Sequence, residues 1–458
     1  MGRHNTPSKR ISFLSTPFIK DTFAVTVLSS LGKAIGLLIP LFLAAWFGSD
    51  TVTDAFFFVY GLVIFISGIF SSTVSSVVVP YISELLHRKQ EPGRFIGSII
   101  LISSLVLVLF LLVAGGLLLL VLELASPFSH DSIRLVGVML LEMLPLVIML
   151  VWTGIIEGAL HAGKRFTIPS LSLVLRASVT LAFIWVLRGT LGIHAVILGY
   201  MAGELARLIL LSSAGIISRF FTFRFSVHLN APLKDFFRKA LFQILGVTAM
   251  GLNPLVDRFM AAWLPTGNLS LLYYSERLLS IPITFLVSGI LVTLLSYWSD
   301  RYYGGRQRDF SRDVSRAIRW IALPALILSM GVIFFAEQIV VLAFGHGSLS
   351  PDALSEISFV MAIYFIGFAP YIVSQVYVRG LIVCRRTKPI MLIALCLCGL
   401  NVLGNMILLP IMGLKGIALS TSIVYLCAWF FLRRAFLRAI IDTKQLSPFP
   451  SNDKGTFE

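Results

Sequence analysis

The sequence predicts an all-α integral membrane protein, with twelve spans in two parallel six-helix lobes around a central cavity. Apolar excess, twelve runs of spanning length and an internal repeat carry that prediction. Hydrophobic types make up 57% of the 458 residues and charged types 13%, where a soluble domain carries roughly 25% charged residues. The mean hydropathy is +0.92. No soluble core is large enough to hide so much apolar surface, so the bilayer is its solvent.

A helical span needs about 20 mostly apolar residues. The polar, basic segment 1–22 precedes a first run, 23–47, that is too long for a signal-peptide core and is followed by no small-residue cleavage site. It reads as a retained span. The next five runs are 54–82, 95–122, 134–160, 168–188 and 191–215, completing an N-lobe over 23–215. A polar inter-lobe linker, 216–236, leads to a C-lobe over 237–433. Its runs are 237–263, 268–298, 317–344, 354–383, 388–410 and 414–433, and a polar tail covers 434–458. The second, eighth and tenth runs exceed the need, so they tilt or project beyond the lipid.

Lys and Arg gather in cytoplasmic loops of membrane proteins. With the N-terminus inside, 28 of the 37 Lys and Arg fall in cytoplasmic segments. Only Arg134, Arg188 and Lys415 fall in external loops. This predicts cytoplasmic termini and accounts for the net charge of +15 without nucleic acid. The four cysteines, Cys384, Cys396, Cys398 and Cys427, lie in or beside apolar runs and match no disulfide or metal pattern. No loop is long enough to fold alone, so any chemistry takes place within or between helices.

The chain repeats itself. AAWFGSDTVTDAFFFVYGL from Ala44 aligns without a gap with AAWLPTGNLSLLYYSERLL from Ala261. PYISE at 80–84 resembles SYWSD at 296–300, KRFTIP at 164–169 resembles RRTKP at 385–389, and GIHAVILG at 192–199 resembles GLKGIALS at 413–420. Pro145 answers Pro370. Each half therefore contains six spans, and an even number keeps the orientation, as in parallel-repeat transporters.

TDAFF (53–57), VVVPYISE (77–84) and VDRFMAAW…YYSERLLSIP (256–282) resemble the MurJ/MviN family of lipid II flippases. GKRFTIPSL and GLKGIALSTSI extend the resemblance over most of the chain. It implies the fold of the multidrug/oligosaccharidyl-lipid/polysaccharide exporter superfamily. It also implies a cavity lined by helices one, two, seven and eight, and alternating access. Two features depart from the family pattern. The sequence stops after span twelve, where the family looks to carry two further helices. Of the family's first-lobe arginine cluster, Lys33 alone is basic here, with Ile39 and Ser67 at the other places. Both departures point toward a polyprenyl-linked glycan other than lipid II.

A charge at mid-bilayer costs at least about 2.5–3.5 kcal/mol, so it faces a wet cavity or a partner. Lys33, Arg258 and Arg277 lie on the helices that the resemblance places at the cavity, and are the candidates for binding a pyrophosphate. Arginine offers a bidentate fork and lysine a point charge. The competing reading pairs the arginines with Asp257, Glu276 or Asp54. Those three carboxylates are also the candidates for a coupling cation. Gly32 and Gly36 flank Lys33, with Pro40 one turn on, which suits either a bendable gate helix or ordinary close packing. Glu204 and Arg207, three apart on one helical face, read as a structural pair. Arg176 is expected near Glu157 or Glu204, Glu157 near the inner interface, and His194 in solvent.

These features predict a flippase, not an enzyme. It would move a polyprenyl-pyrophosphate-linked oligosaccharide, for peptidoglycan or another surface glycan, from the cytoplasmic to the periplasmic leaflet of the bacterial inner membrane. Membrane lipids and glycan synthesis or polymerisation proteins are its expected partners. No cofactor is implied; Na⁺, H⁺ or the membrane potential would supply coupling, since there is no Walker-type loop. A cation-coupled small-molecule antiporter on the same fold is the first alternative. An integral-membrane glycan polymerase or ligase is the second, disfavoured by short external loops without charge clusters.

Overall fold

The computed structural model describes residues 16–87, 92–125, 129–163, 165–217, 251–285, 307–384 and 386–445, with Thr248, Trp298 and Tyr302. Most of the linker, the first half of the seventh expected span, the end of the eighth and the tail past 445 lie outside these residues. Among the described residues there is no strand. The first half contains α1 (Thr16–Phe47), α2 (Thr51–His87), α3 (Gly93–Ala125), α4 (His130–Ala162), α5 (Thr167–Leu191) and α6 (His194–Ile217). The second contains α7 (residues 251–261) and α8 (Asn268–Phe285), followed by α9 (Gln307–Phe334) and α10 (Ala336–Phe344). It ends with α11 (Pro351–Val383), α12 (Thr387–Met412) and α13 (Leu414–Gln445). Ten of the described helices are long and apolar enough to cross a membrane.

The expected ninth span, 317–344, is two helices. The backbone departs from helix at Phe335, whose φ of −106° and ψ of 22° separate α9 from α10. The bonds Phe335 N–H to Gly331 O and Ile339 N–H to Phe335 O persist on either side. The first turn of α10 carries Glu337, where a carboxylate suits the positive end of the helix. Pro40, Pro145, Pro324 and Pro370 lie inside continuous helices.

The repeat is visible in backbone detail. Gly192 and Gly413 close α5 and α12 with almost the same angles, φ 56° and 57°, both with ψ −134°. Only glycine adopts this left-handed conformation without strain. Each donates its N–H to the carbonyl four residues back, Arg188 or Leu409, and accepts from the residue three ahead, Ala195 or Gly416. The turn after α4 matches the turn after α11 in the same way. Gly163 bonds Ala159 and Arg165 bonds Leu160, as Cys384 bonds Gly380 and Arg386 bonds Leu381.

Two compact units divide the chain. One comprises Met1–Ile39, Phe70–Val113 and Glu142–Ala240; the other comprises Pro40–Ile69, Ala114–Leu141 and Leu241–Glu458. In the first unit α5 and α6 press together at Gly199 and Gly203. A Cβ on Gly203 would lie 2.6 Å from Arg176 O, and one on Gly199 2.9 Å from Thr180 O. Small residues thus let the two backbones approach. In the second unit α11 is the central post: 61% of its apolar stretch is buried, against 11% for α9. The exposed stripe on α9 includes Leu323, Ile327, Met330 and Phe334. Such surface is intolerable in water and ordinary in lipid.

Candidate functional site

Of the four charges that begin this region, Arg258 and Glu276 pair with each other, while Asp257 and Arg277 each go a separate way. Arg258 on α7 donates from Nη2 to Glu276 Oε2 on α8 at 2.9 Å. Both side chains are largely buried, at 16% and 19% exposure. The guanidinium lies across α2 at Gly61, where a Cβ would meet Nη1 at 2.6 Å and Cδ at 2.8 Å. Any larger residue at position 61 would displace it. Arg258 Nε is buried and has no hydrogen-bond partner. An unfilled donor on a buried cation is costly, and it is the feature an arriving anion would satisfy.

Arg277 points elsewhere. Its Nε donates to the Tyr273 hydroxyl at 2.8 Å, and its guanidinium carbon lies 4.9 Å from the centre of the same ring. Tyr273 stacks in turn on Phe57 of α2, with ring centres 3.9 Å apart. Arg277 is therefore held by an aromatic platform that joins the two aligned repeat segments, Phe57 from one and Tyr273 from the other.

Asp257, 3% exposed, faces α12 and α13. It accepts from Asn405 Nδ2 at 2.7 Å and Thr421 Oγ1 at 3.0 Å. Asn401 lies one turn before Asn405, and both asparagines are fully buried. Both side-chain polar atoms of Asn401 lack a partner, as does Asn405 Oδ1. The cluster is thus a buried carboxylate among amide and hydroxyl oxygens, some unfilled, which is the donor chemistry of a small hard cation. Sequence reading identified Asp257 but missed Asn401, Asn405 and Thr421. The available signal was an Asn pair at i, i+4 inside an apolar span.

Asp54 is fully engaged. Its carboxylate accepts from Gly267 N–H at 2.6 Å, Ser270 N–H at 2.8 Å and the Ser270 hydroxyl at 2.5 Å. It therefore caps the N-terminus of α8 from a different helix, satisfying donors that a helix start leaves open. Around it, the Tyr274 hydroxyl donates to Gly48 O at 2.8 Å, and Ser348 Oγ to Ala45 O at 3.1 Å. Gly48 and Gly267 turn with φ of 66° and 95°, and a Cβ on Gly267 would lie 3.0 Å from Ser49 O. These contacts form a latch between the α1–α2 turn and the start of α8. A cavity of about 390 Å³ beside it is lined by Thr51, Asp54, Ser129, Ser132, Trp263 and Thr266 among others.

The first unit holds Lys33 and the hinge candidates beside it. Lys33 is exposed. A Cβ on Gly32 would sit 2.9 Å from the Leu173 backbone, so this glycine serves close contact with α5. Gly36 faces open space. The division between units runs through α1 between Ile39 and Pro40.

The same unit contains a dense charge network. Glu204, 1% exposed, accepts from Thr153 Oγ1 at 2.5 Å and Arg176 Nη1 at 3.3 Å, and lies 3.5 Å from Arg207 Nη1. Arg207 also donates to Glu157 at 2.5 Å and to Ser172 Oγ at 3.2 Å. Glu157 joins the network through Arg207, and of its two expected partners Arg176 takes Glu204. His194 is not merely solvated: its Nδ1 lies 2.7 Å from Glu142 Oε2. Among the described residues no group of three or more His, Cys, Asp or Glu could hold a metal.

Comparison with known proteins identifies a family. The profile of the family "Lipid II flippase MurJ" matches residues 43–447. A probable lipid II flippase MurJ from Buchnera aphidicola is 22% identical over 446 residues, spanning 94% of this chain and 86% of its own. One from Thermotoga maritima is 22% identical over 417 residues, spanning 90% and 84%. Among solved structures, a lipid II flippase MurJ in an inward closed conformation superposes with a TM-score of 0.78 at 19% identity, covering 95% of this chain and 94% of the other. An inward-facing multidrug resistance MATE family transporter gives 0.76 at 13% identity, covering 92% and 96%.

Proposed function

Because the chain belongs to the lipid II flippase MurJ family, which are multi-pass inner-membrane transporters and not enzymes, we propose that it flips a polyprenyl-pyrophosphate-linked glycan to the outer leaflet. The observation that carries this reading is Arg258. It is buried against Gly61, held by one carboxylate and left with an unfilled Nε. The pyrophosphate would compete with Glu276 for the guanidinium, so the pair holds the arginine ready and releases it on arrival. Arg277 and Lys33 would supply further positive charge along the route. The polyprenyl tail would stay in lipid while the headgroup crosses.

The orientation follows the basic bias of the loops, with both termini cytoplasmic. The Asp54 latch would then lie at the periplasmic end. Opening would require α8 to withdraw its N-terminus from Asp54. Pro40, where α1 passes from one compact unit to the other, is the natural hinge. Outward movement of each net negative charge is favoured by about 2.3 kcal/mol per 100 mV of inside-negative potential. A monovalent cation at Asp257 would couple to the cycle, since Asp257 and Arg258 are adjacent on α7.

The experiment is depletion of the protein followed by extraction of lipid-linked glycans, paired with flipping in proteoliposomes. The expected result is accumulation of one polyprenyl-pyrophosphate glycan in the inner leaflet and its translocation by the purified protein. Failure to move any such glycan, with cation-driven efflux of small amphipathic molecules instead, would replace this reading by an antiporter. The Asp257 cluster is the feature that favours that second reading.

A further inference from the structure

We infer that the cytoplasmic end of the second unit carries a binding surface for anionic phospholipid, built from arginines on α9 and α13. On α9, Arg312, Arg316 and Arg319 recur at spacings of four and three, so they share one face. The same face continues as Trp320, Leu323, Ile327, Met330 and Phe334, which are 75%, 62%, 62%, 52% and 77% exposed. The opposite face, with Phe310, Val314, Ile321 and Ala325, is buried. The stripe that meets lipid tails therefore turns basic at residue 319, with an exposed tryptophan at the junction. An indole at that point suits the headgroup boundary.

On α13 the pattern runs in the other direction. Ile423, Leu426, Phe430 and Phe431 are exposed, and the same face then bears Arg434 and Arg438 interleaved with exposed Leu437 and Ile441. Apolar side chains this close to arginines indicate immersion at the interface, not free solvent. Phe310 and Phe436 meet with ring centres 6.1 Å apart, so the two basic stretches flank one end of the unit.

Among the described side chains, acids do not cancel this charge. Asp313 lies 3.7 Å from Arg316, and Asp309 sits exposed at the start of the stripe. Arg433 lies over Trp429. Among the described residues, Arg312, Arg319, Arg434 and Arg438 make no hydrogen bond or ion pair. Four unpartnered guanidinium groups beside lipid-facing stripes match the phosphates of anionic headgroups, each contributing roughly fivefold in affinity. Such binding would fix the depth of this end of the protein at the inner leaflet. It rests on the proposed orientation but not on the identity of the transported glycan.

Phosphatidylglycerol and phosphatidylcholine are titrated onto the purified, delipidated full-length protein, and retained lipid is counted by native mass spectrometry. Saturable retention of phosphatidylglycerol alone is expected. R312Q/R319Q/R434Q/R438Q should weaken it by about a hundredfold or more, while R134Q, at the other end, leaves it unchanged. Equal retention of the two lipids, unaltered binding by the quadruple variant, or the same loss in R134Q would each overturn the inference. Displacement by inorganic phosphate at matched concentration would assign a free-anion site and overturn it too. Should the variant not remain monodisperse, the wild-type protein decides: retention must fall when salt is raised about tenfold, and salt-insensitive retention rejects the site. Loss of lipid binding with glycan flipping intact leaves the transport reading standing.

Discussion

The charges buried in the two units are similar in kind and opposite in condition. In the first unit, Arg176, Glu204, Arg207 and Glu157 form a continuous chain of ion pairs, with Thr153 and Ser172 filling it out. In the second, Arg258 has one partner and a vacant donor, while Asp257 lies beside two asparagines with vacant atoms. A count of buried charges does not separate the units, since Glu204 and Arg207 lie in the first and Asp54 and Asp257 in the second. The accounting of hydrogen bonds does separate them, because a filled network resists change and an unfilled one can accept a ligand.

The largest expected effect tests the ion-pair chain. Arg207→Gln strands Glu157 and removes a neighbour of Glu204, so folded yield should collapse, with a loss of about 3–5 kcal/mol in thermal or denaturant unfolding. Normal yield with abolished transport would move the site into this unit. Next comes Arg258→Gln, which should lower glycan flipping at least tenfold. The double variant Arg258→Gln/Glu276→Gln should recover most lost stability and none of the flipping. Recovery of transport in the double variant would show that the pair serves packing alone.

A smaller effect sharpens the role of Asp257. Wild-type protein should melt at a higher temperature as Na⁺ is added, by the mass action of a ligand that binds only the folded state. Asp257→Asn should lose that response, whereas Asp54→Asn should keep it. A response that survives in Asp257→Asn places the cation elsewhere. The smallest effect is expected at Glu142→Gln. The pair with His194 is more than a third exposed on both sides, so stability should change by no more than about 0.5 kcal/mol.

The sequence was most legible where structure is local. Gly192 and Gly413 could be matched from the text because a left-handed turn demands glycine, and both turns have the same geometry. The apolar runs mark the helices because the period of a span and its length are local properties as well. Partner choice was not legible. Asp257 meets Asn405 from 148 positions away, and Arg207 meets Glu157 from 50. Asp54 was expected to line a cavity or bind an ion; its partners include two backbone N–H groups, which no residue letter announces. The break at Phe335 was missed for a related reason: neither proline nor glycine stands at that position.

The latch at Asp54 has a consequence for kinetics. In the proposed opening step, where α8 would swing away, one carboxylate and the positive end of a helix would lose each other together, and each would need new company. Water is the substitute at hand, so molecules of solvent enter the opening step as reactants. Dehydrating osmolytes should therefore slow the cycle from the outside even when substrate, voltage and cations are held constant.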